Sequence, residues 1–455
     1  KKIVKNEIDD SVISSFPKNV REFFSEKEVG RFIDSFELRS NQLSMSEFIE
    51  NNLKVKNISL IEASPGTGKT MAYLAPIALK ASEEGIKAVI ATNTKALQDQ
   101  IVNKDWLLIN KYLSTVDKKN EIKLSILKGR KNYICKKLVK NFIPSNFSEL
   151  RVFFKIYKWS FLTIHGDISE VDLKNEFPVF LNFSAINESC IKKCVDCYVI
   201  NARNNAKNSN IILTNHSLAM TSSTTEKSIL EDIDLLVIDE AHEILNVATD
   251  VFTNKNYLFD FENIFKSILK YESKIENLSL DNKKIIEIYI NLKNEVENYI
   301  EELKLVNKVF NESKLNYQGI LKIKIDDYNQ NFSRDILFSK TNIISALIID
   351  FNNEIDSSEL KKIVDNNLLN LIGSLESSIE NFKVIFDSED SNIVSWIESD
   401  KNDGIIFVSS PVNVDSYLRS TIFENQENII LTGATLTSFG TPEEFCNEIG
   451  IDNLG

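Results

Sequence analysis

Only 7 prolines and 13 glycines punctuate the 455 residues of this chain. No proline- or glycine-rich linker, internal repeat or low-complexity tract stands out, so an extended disordered tail is not expected. With 5 cysteines in all, a disulfide-stapled secreted scaffold is excluded as the organising principle. No apolar run approaches the roughly 18 residues needed to cross a bilayer. The N-terminus lacks the pattern of a signal peptide, and a cytoplasmic location is expected. An excess of positive charge is missing as well. There are 53 Lys and Arg against 66 Asp and Glu, a net charge of −13, which argues against nucleic-acid binding spread over the whole surface.

The length suggests two to four compact units. Hydrophobic residues make up 43% and charged residues 26%, which is ordinary for a globular protein. The charge is not evenly spread. Residues 126–200 hold 12 Lys and Arg against 7 Asp and Glu, densest at Lys128, Arg130, Lys131, Lys136, Lys137 and Lys140. A local excess of this kind suits a phosphate-binding surface.

Short apolar runs recur between helical stretches: Ile58–Ile61, Ala88–Ala91, Leu124–Leu127, Ile211–Leu213, Leu235–Ile238 and Ile429–Leu431. Being continuous rather than alternating, they fit strands buried on both faces of a parallel sheet. Polar or glycine-containing motifs follow their C-terminal ends, where α/β sheets place ligands. The expected fold is therefore α/β, with one RecA-like motor lobe assembled from residues 1–125, 201–250 and 401–455. Two insertions interrupt it. The first, 126–200, carries four cysteines and the basic cluster. The second, 251–400, reads as all helical, with stripes at Phe261, Ile264, Phe265, Ile268 and Leu269, and again from Ile285 to Leu303.

Ala63-Ser64-Pro65-Gly66-Thr67-Gly68-Lys69-Thr70 lies between a strand and a helical pattern, the setting that a phosphate loop requires. Glycines let successive N–H groups converge on phosphate oxygens, and the helix N-terminus adds positive potential. Pro65 to Thr70 are the candidate nucleotide-binding residues, with Lys69 reaching the β/γ-phosphates and Thr70 coordinating Mg²⁺. Asp239 and Glu240 end the run Leu235–Ile238. Asp239 is expected in the Mg²⁺ shell, Glu240 as the base that polarises the attacking water, and His242 as a coupling residue. Upstream, Arg39 and Gln42 offer an adenine reader, since a glutamine amide can pair with adenine N6 and N7 together. Phe36 is a candidate for stacking on the base.

Cys190, Cys194 and Cys197, with Cys135 far upstream, make a four-thiolate set. A tetrahedral zinc ion and an iron–sulfur cluster both fit, and the spacing does not separate them. Cys446 stands apart and reads as a buried free thiol.

Taken together, these segments resemble the XPD-like branch of superfamily 2 helicases, including its bacterial damage-inducible members. The resemblance runs through Arg39–Gln42, Glu62–Thr70, Thr92–Gln100, Lys128–Cys135, Leu213–Leu218, Asp239–His242 and Leu431–Leu436. It implies a [4Fe-4S] cluster on Cys135, Cys190, Cys194 and Cys197, an Fe–S domain at 126–200 and a helical Arch domain at 251–400. It further implies ATP and Mg²⁺ as cofactors and a monomer that moves 5′ to 3′ on single-stranded DNA. Forked or 5′-tailed duplexes and DNA–RNA hybrids would be its substrates, and a single-strand-binding protein a partner. Thr92, Asn93, Gln98, Lys128, Arg130, Lys131, Asn215 and His216 would contact DNA. Thr432 and Thr435 would couple ATP state to DNA grip. The family's second RecA-like lobe is expected to lie outside this polypeptide, leaving half an ATP site and slow hydrolysis. An RNA helicase of the same superfamily and a non-motor, zinc-stapled DNA-binding protein are the alternatives, the first disfavoured by the cysteine insertion and the second by intact Lys69, Asp239 and Glu240.

Overall fold

The computed structural model describes residues 16–451, except 54, 117–120, 145, 174–176, 181–182, 186–195, 223–230, 277–282, 315–321, 325–333, 358–365, 388–389, 400–403 and 437–440. Ten strands occur among the described residues: β1 Ile58–Glu62, β2 Ala88–Thr92, β3 Leu124–Ile126, β4 Ile211–Asn215, β5 Leu235–Asp239, β6 Asn254–Tyr257, β7 Lys322–Lys324, β8 Ile393–Ser399, β9 Ile405–Pro411 and β10 Ile429–Gly433. The chain divides into two compact units, Lys1–Ala248 with Asp415–Gly455, and Thr249–Val414.

In the first unit six strands form one sheet in the order β1-β10-β5-β2-β4-β3, parallel throughout. All six apolar runs read from the sequence are strands of this sheet. Every residue of β2, β5 and β10 is buried, which is why their apolar residues run on without alternation. The register aligns Glu62 with Gly433, Thr432 with Asp239 and Thr92 with Asn215. One edge of the sheet thus collects the C-terminal ends of strands that lie far apart in sequence.

Helix α1, Ser40–Asn52, packs on α2, Lys69–Glu84. α2 starts after Gly68 and stops at Gly85, both left-handed with φ of 84° and 73°, a conformation that glycine adopts without strain. Residues 126–200 stay within this unit but build a small core of their own. Its helices are α3 Lys136–Asn141, α4 Phe147–Ser160 and α5 Tyr198–Lys207, packed through Val139, Val152, Ile156, Trp159, Phe183 and Tyr198. α6, His216–Ser222, follows β4.

The second unit holds α7 Leu258–Leu269, α8 Lys283–Lys314, α9 Arg334–Ser357 and α10 Asn366–Phe386. The expected stripes are its core: Phe261, Phe265, Tyr289, Val296 and Tyr299 are buried in it, with Ile264 and Leu269 half-buried alongside. The expectation of an all-helical insertion ending at 400 does not hold. Four strands form an antiparallel sheet, β6-β9-β8-β7, and β9 lies in this unit rather than in the motor lobe. β6 reads Asn-Lys-Asn-Tyr, with no apolar alternation to mark it, and β7 spans only three residues. β9 is buried along its whole length and locally resembles a parallel strand. No helix among the described residues is long and apolar enough to cross a membrane.

Candidate active site

The turn after β1 carries Gly66 and Gly68 at φ 81° and 84°. A side chain at either position would be strained, and at Gly68 a Cβ would also sit 2.3 Å from Gln42 Nε2. The loop is pinned from inside: Thr67 Oγ1 donates to the Ser64 carbonyl at 2.7 Å. Its base joins the neighbouring strand through Ala63 N–H to the Gly433 carbonyl at 3.0 Å.

Lys69 begins α2, and its Nζ lies 3.3 Å from the Ala63 carbonyl and 3.5 Å from Glu240 Oε1. The fold therefore joins two sequence motifs that are 171 positions apart (69 and 240). Glu240 follows β5 in a left-handed conformation, φ 53°, costly for a residue with a side chain. That turn swings its carboxylate between Lys69 and His242, whose Nδ1 is 3.4 Å from Glu240 Oε2. His242 Nε2 faces Glu243 at 3.6 Å.

Asp239 sits deeper. Its Oδ2 accepts from the Tyr73 hydroxyl at 3.0 Å and its Oδ1 from the Glu240 N–H at 3.0 Å. Burial pushes its carboxyl up to about 6, and the nearby Glu240 charge adds to the rise, while the Tyr73 hydrogen bond and Lys69 pull the other way. Tyr73 is fully buried and its phenol is held far above the ordinary range by that burial and by Asp239. The Thr70 hydroxyl bonds to the same phenol. Tyr73 thus ties the two candidate Mg²⁺ ligands together. It escaped the sequence reading, although its place three residues after Thr70 puts it on the same face of α2.

Several residues stand elsewhere than expected. Arg39 Nη1 donates to the Gly66 carbonyl at 2.8 Å and Gln42 Nε2 to the Gly68 carbonyl at 3.0 Å, so both side chains brace the loop. Phe36 packs against Gly30 and the core of the first unit. Thr92 and Gln98, expected on a DNA path, are buried, and Thr92 Oγ1 has no hydrogen-bond partner among the described residues. His216 is buried too, and its Nε2 meets the Asp239 carbonyl at 2.8 Å. Burial lowers its pKa, so the ring stays neutral and donates to that carbonyl. It supports the β5 end rather than lining a surface. Asn215 is half-buried and its Oδ1 caps the Leu218 N–H at 2.9 Å.

Lys128 turns inward, its ammonium 2.5 Å from Asp167 Oδ2 and 3.0 Å from Ser169 Oγ. Asn93 and Lys131 are exposed, and Arg130 is half-buried. Thr432 is buried in the same sheet row as Asp239, and Thr435 is exposed. Cys446 is buried and its thiol is pushed up by burial.

Cys135 and Cys197 are free and half-buried. Each directly precedes a helix, α3 or α5, whose N-terminal N–H groups favour an anionic group. Cys190 and Cys194 lie outside the described residues. Among the described residues no group of three or more His, Cys, Asp or Glu side chains is placed to hold a metal ion, and a four-thiolate site would need Cys190 and Cys194 as well.

A family model described as the Type III restriction enzyme res subunit matches residues 35–280, more than half of the chain. The chain belongs to this family. Among curated relatives it is 26% identical over 450 residues to an ATP-dependent DNA helicase, YoaA of Haemophilus influenzae, covering 94% of this chain and 64% of the relative. It is 23% identical over 467 residues to the 3′-5′ exonuclease DinG of Bacillus subtilis, covering 94% of this chain and 49% of that protein. A solved XPD helicase aligns at 15% identity with a TM-score of 0.41, covering 91% of this chain and 61% of the other. The resemblance drawn from the motifs is supported by the names of these relatives, an ATP-dependent DNA helicase and DinG. The chain spans about half to two thirds of the length of these relatives.

Proposed function

We propose that this chain carries the nucleotide-binding and first DNA-gripping elements of an ATP-dependent DNA helicase that translocates 5′ to 3′ on single-stranded DNA. One observation carries the reading: Lys69 and Glu240 meet at 3.5 Å at the mouth of a loop whose backbone is set by two left-handed glycines. A lysine ammonium here neutralises terminal phosphates, and the loop N–H groups orient them. Glu240 accepts a proton from, and aims, the water that attacks the terminal phosphorus. His242 restrains the Glu240 carboxylate. Thr70 and Asp239, linked through Tyr73, would hold Mg²⁺, which supplies charge neutralisation on the phosphates.

Cys135, Cys190, Cys194 and Cys197 would hold the iron–sulfur cluster, which supplies rigid cross-links between distant parts of residues 126–200. Single-stranded DNA and 5′-tailed or forked duplexes are the proposed substrates, with DNA–RNA hybrids as a further class and a single-strand-binding protein as a partner. Asn93, Arg130, Lys131 and Asn215 are the proposed contacts from the first unit. Thr432 and Thr435 would couple ATP state to DNA grip.

Unwinding of 5′-tailed and 3′-tailed duplexes by the full-length protein under ATP regeneration tests the reading, with Lys69→Ala as the control. ATP-dependent unwinding of the 5′-tailed substrate alone is expected. Unwinding that survives Lys69→Ala, or that prefers the 3′ tail, contradicts it.

A further inference from the structure

Helix α4 has two apolar faces where a surface helix needs one. Val152, Ile156 and Trp159 are buried in the local core. On the opposite side Phe147, Phe154, Tyr157 and, just past the helix end, Phe161 are 82%, 61%, 41% and 72% exposed. Their spacing of 7, 3 and 4 residues keeps them on one ridge, about 20 Å long at the helical rise of about 1.5 Å per residue. Tyr157 and Phe161 lie edge to face, centroids 5.0 Å apart. Exposed ridges of this size mark binding surfaces.

The neighbouring chemistry identifies the occupant. Arg151, Lys155 and Lys158 are exposed along one flank of the ridge, again at helical spacing, and the Lys155 ammonium also donates to the Asp172 carbonyl. Lys137 and Lys140 of α3 are exposed too, and α3 packs against α4. The helix holds a single carboxylate, Glu149, in its first turn, within a chain whose net charge is −13. A second copy of this chain laid on the ridge would set these cations against their own kind. The exposed side chains along the ridge of the helix are aromatic rings, with Leu150 half-buried between them and Leu162 and Ile164 exposed beyond the helix end, and rings beside cations suit bases beside phosphates. A duplex hides its base faces, whereas a single strand offers them.

We propose that the outer ridge of α4 is a stacking platform for unpaired DNA bases, with Arg151, Lys155 and Lys158 along the phosphates. The platform rests on the reading of the chain as a DNA motor, and adds a base-contacting site separate from the phosphate-loop site. It depends on the π-faces of bases, so it tolerates any sequence and discriminates single strand from duplex.

The test uses the whole 455-residue chain without nucleotide, and fluorescein-labelled (dT)20 followed by anisotropy. The triple variant Phe154→Ser, Tyr157→Ser, Phe161→Ser removes exposed rings and keeps the buried face of α4. It is expected to bind (dT)20 about tenfold or more weakly, given the typical strength of base–aromatic stacking. Affinity for a blunt duplex is expected to change less than about twofold by the same logic. In Phe154→Trp, (dT)20 is expected to quench the added indole emission relative to wild type. Wild-type (dT)20 affinity in the triple variant, or unmoved indole emission, overturns the platform. So does a shift from associated to monomeric sedimentation in the triple variant with (dT)20 affinity intact, which makes the ridge a protein interface. ATP turnover that survives Lys69→Ala sinks the helicase reading and leaves the anisotropy result standing. Failure of the triple variant to weaken binding sinks only the platform.

Discussion

β5 and β9 look alike in the sequence and do opposite things. Both are apolar runs buried along their whole length. β5 lies between two parallel neighbours and ends in Asp239, next to Glu240. β9 lies between two antiparallel neighbours and ends in Ser409, Ser410 and Pro411. Burial on both faces therefore says that a strand is central, and says nothing of direction or chemistry. What separates the two is the residue at the strand end and its partner from another motif. β5 meets the Lys69 loop, while β9 meets the Phe382 and Phe386 rings, at 5.4 and 5.8 Å from Phe407.

The contrast breaks first at the nucleotide site. Lys69→Ala and Glu240→Gln are each expected to lower ATP turnover by about 10² to 10⁴-fold, with circular dichroism and melting temperature near wild type. A comparable loss from a change in β9 would show that both sheets serve the chemistry. Phe407→Ala is the matching change there. It is expected to cost about 3–5 kcal/mol of the second unit's stability in denaturant titrations, and to leave affinity for a fluorescent ATP analogue unchanged. Loss of nucleotide binding without loss of stability would reverse the assignment.

Asp239→Asn sharpens the comparison through pH. The folded-state carboxyl is raised to about 6 from 3.8, so the native state favours the protonated acid. Its contribution to stability is present below about pH 4 and is lost as pH rises through 6, a swing of about 3 kcal/mol at most. In EDTA, wild type should lose that much more stability than Asp239→Asn between pH 4 and pH 7. Parallel stability curves for the two proteins would mean that Asp239 is ionised without penalty. The smallest effect is expected from Tyr73→Phe, which removes one donor to a buried carboxylate and costs about 1–3 kcal/mol. Its Mg²⁺ dependence of nucleotide binding should weaken several-fold, whereas a purely structural tyrosine would leave that dependence alone.

The six strands of the parallel sheet and the left-handed loop before α2 were legible because continuous apolar runs and glycine spacing are local signals. Lys69 stood out as the first residue of a helix behind a glycine loop, and Asp239 and Glu240 as carboxylates at a strand end. Orientation was not legible. Thr92, Gln98 and His216 were read as DNA contacts, yet their side chains are buried. Lys128 looked like one more cation of a basic run until Asp167, 39 positions on (128 to 167), claimed it. Gln42 and Arg39 were read toward a base, and the fold adds a role that spacing did not show, since both donate to loop carbonyls. The second sheet was invisible because the polar β6 and the three-residue β7 carry no pattern without their partner β9.

The most direct measurement is calorimetric titration of ATP into wild type, Lys69→Ala and Glu240→Gln, with and without Mg²⁺. Wild type should bind one nucleotide in a Mg²⁺-dependent manner. Lys69→Ala should bind at least about tenfold more weakly, as expected for losing a charge-assisted contact to phosphate, and Glu240→Gln should bind about as well as wild type. Equal affinity in wild type and Lys69→Ala, or binding indifferent to Mg²⁺, would contradict the assignment of this loop and strand end as the phosphate site.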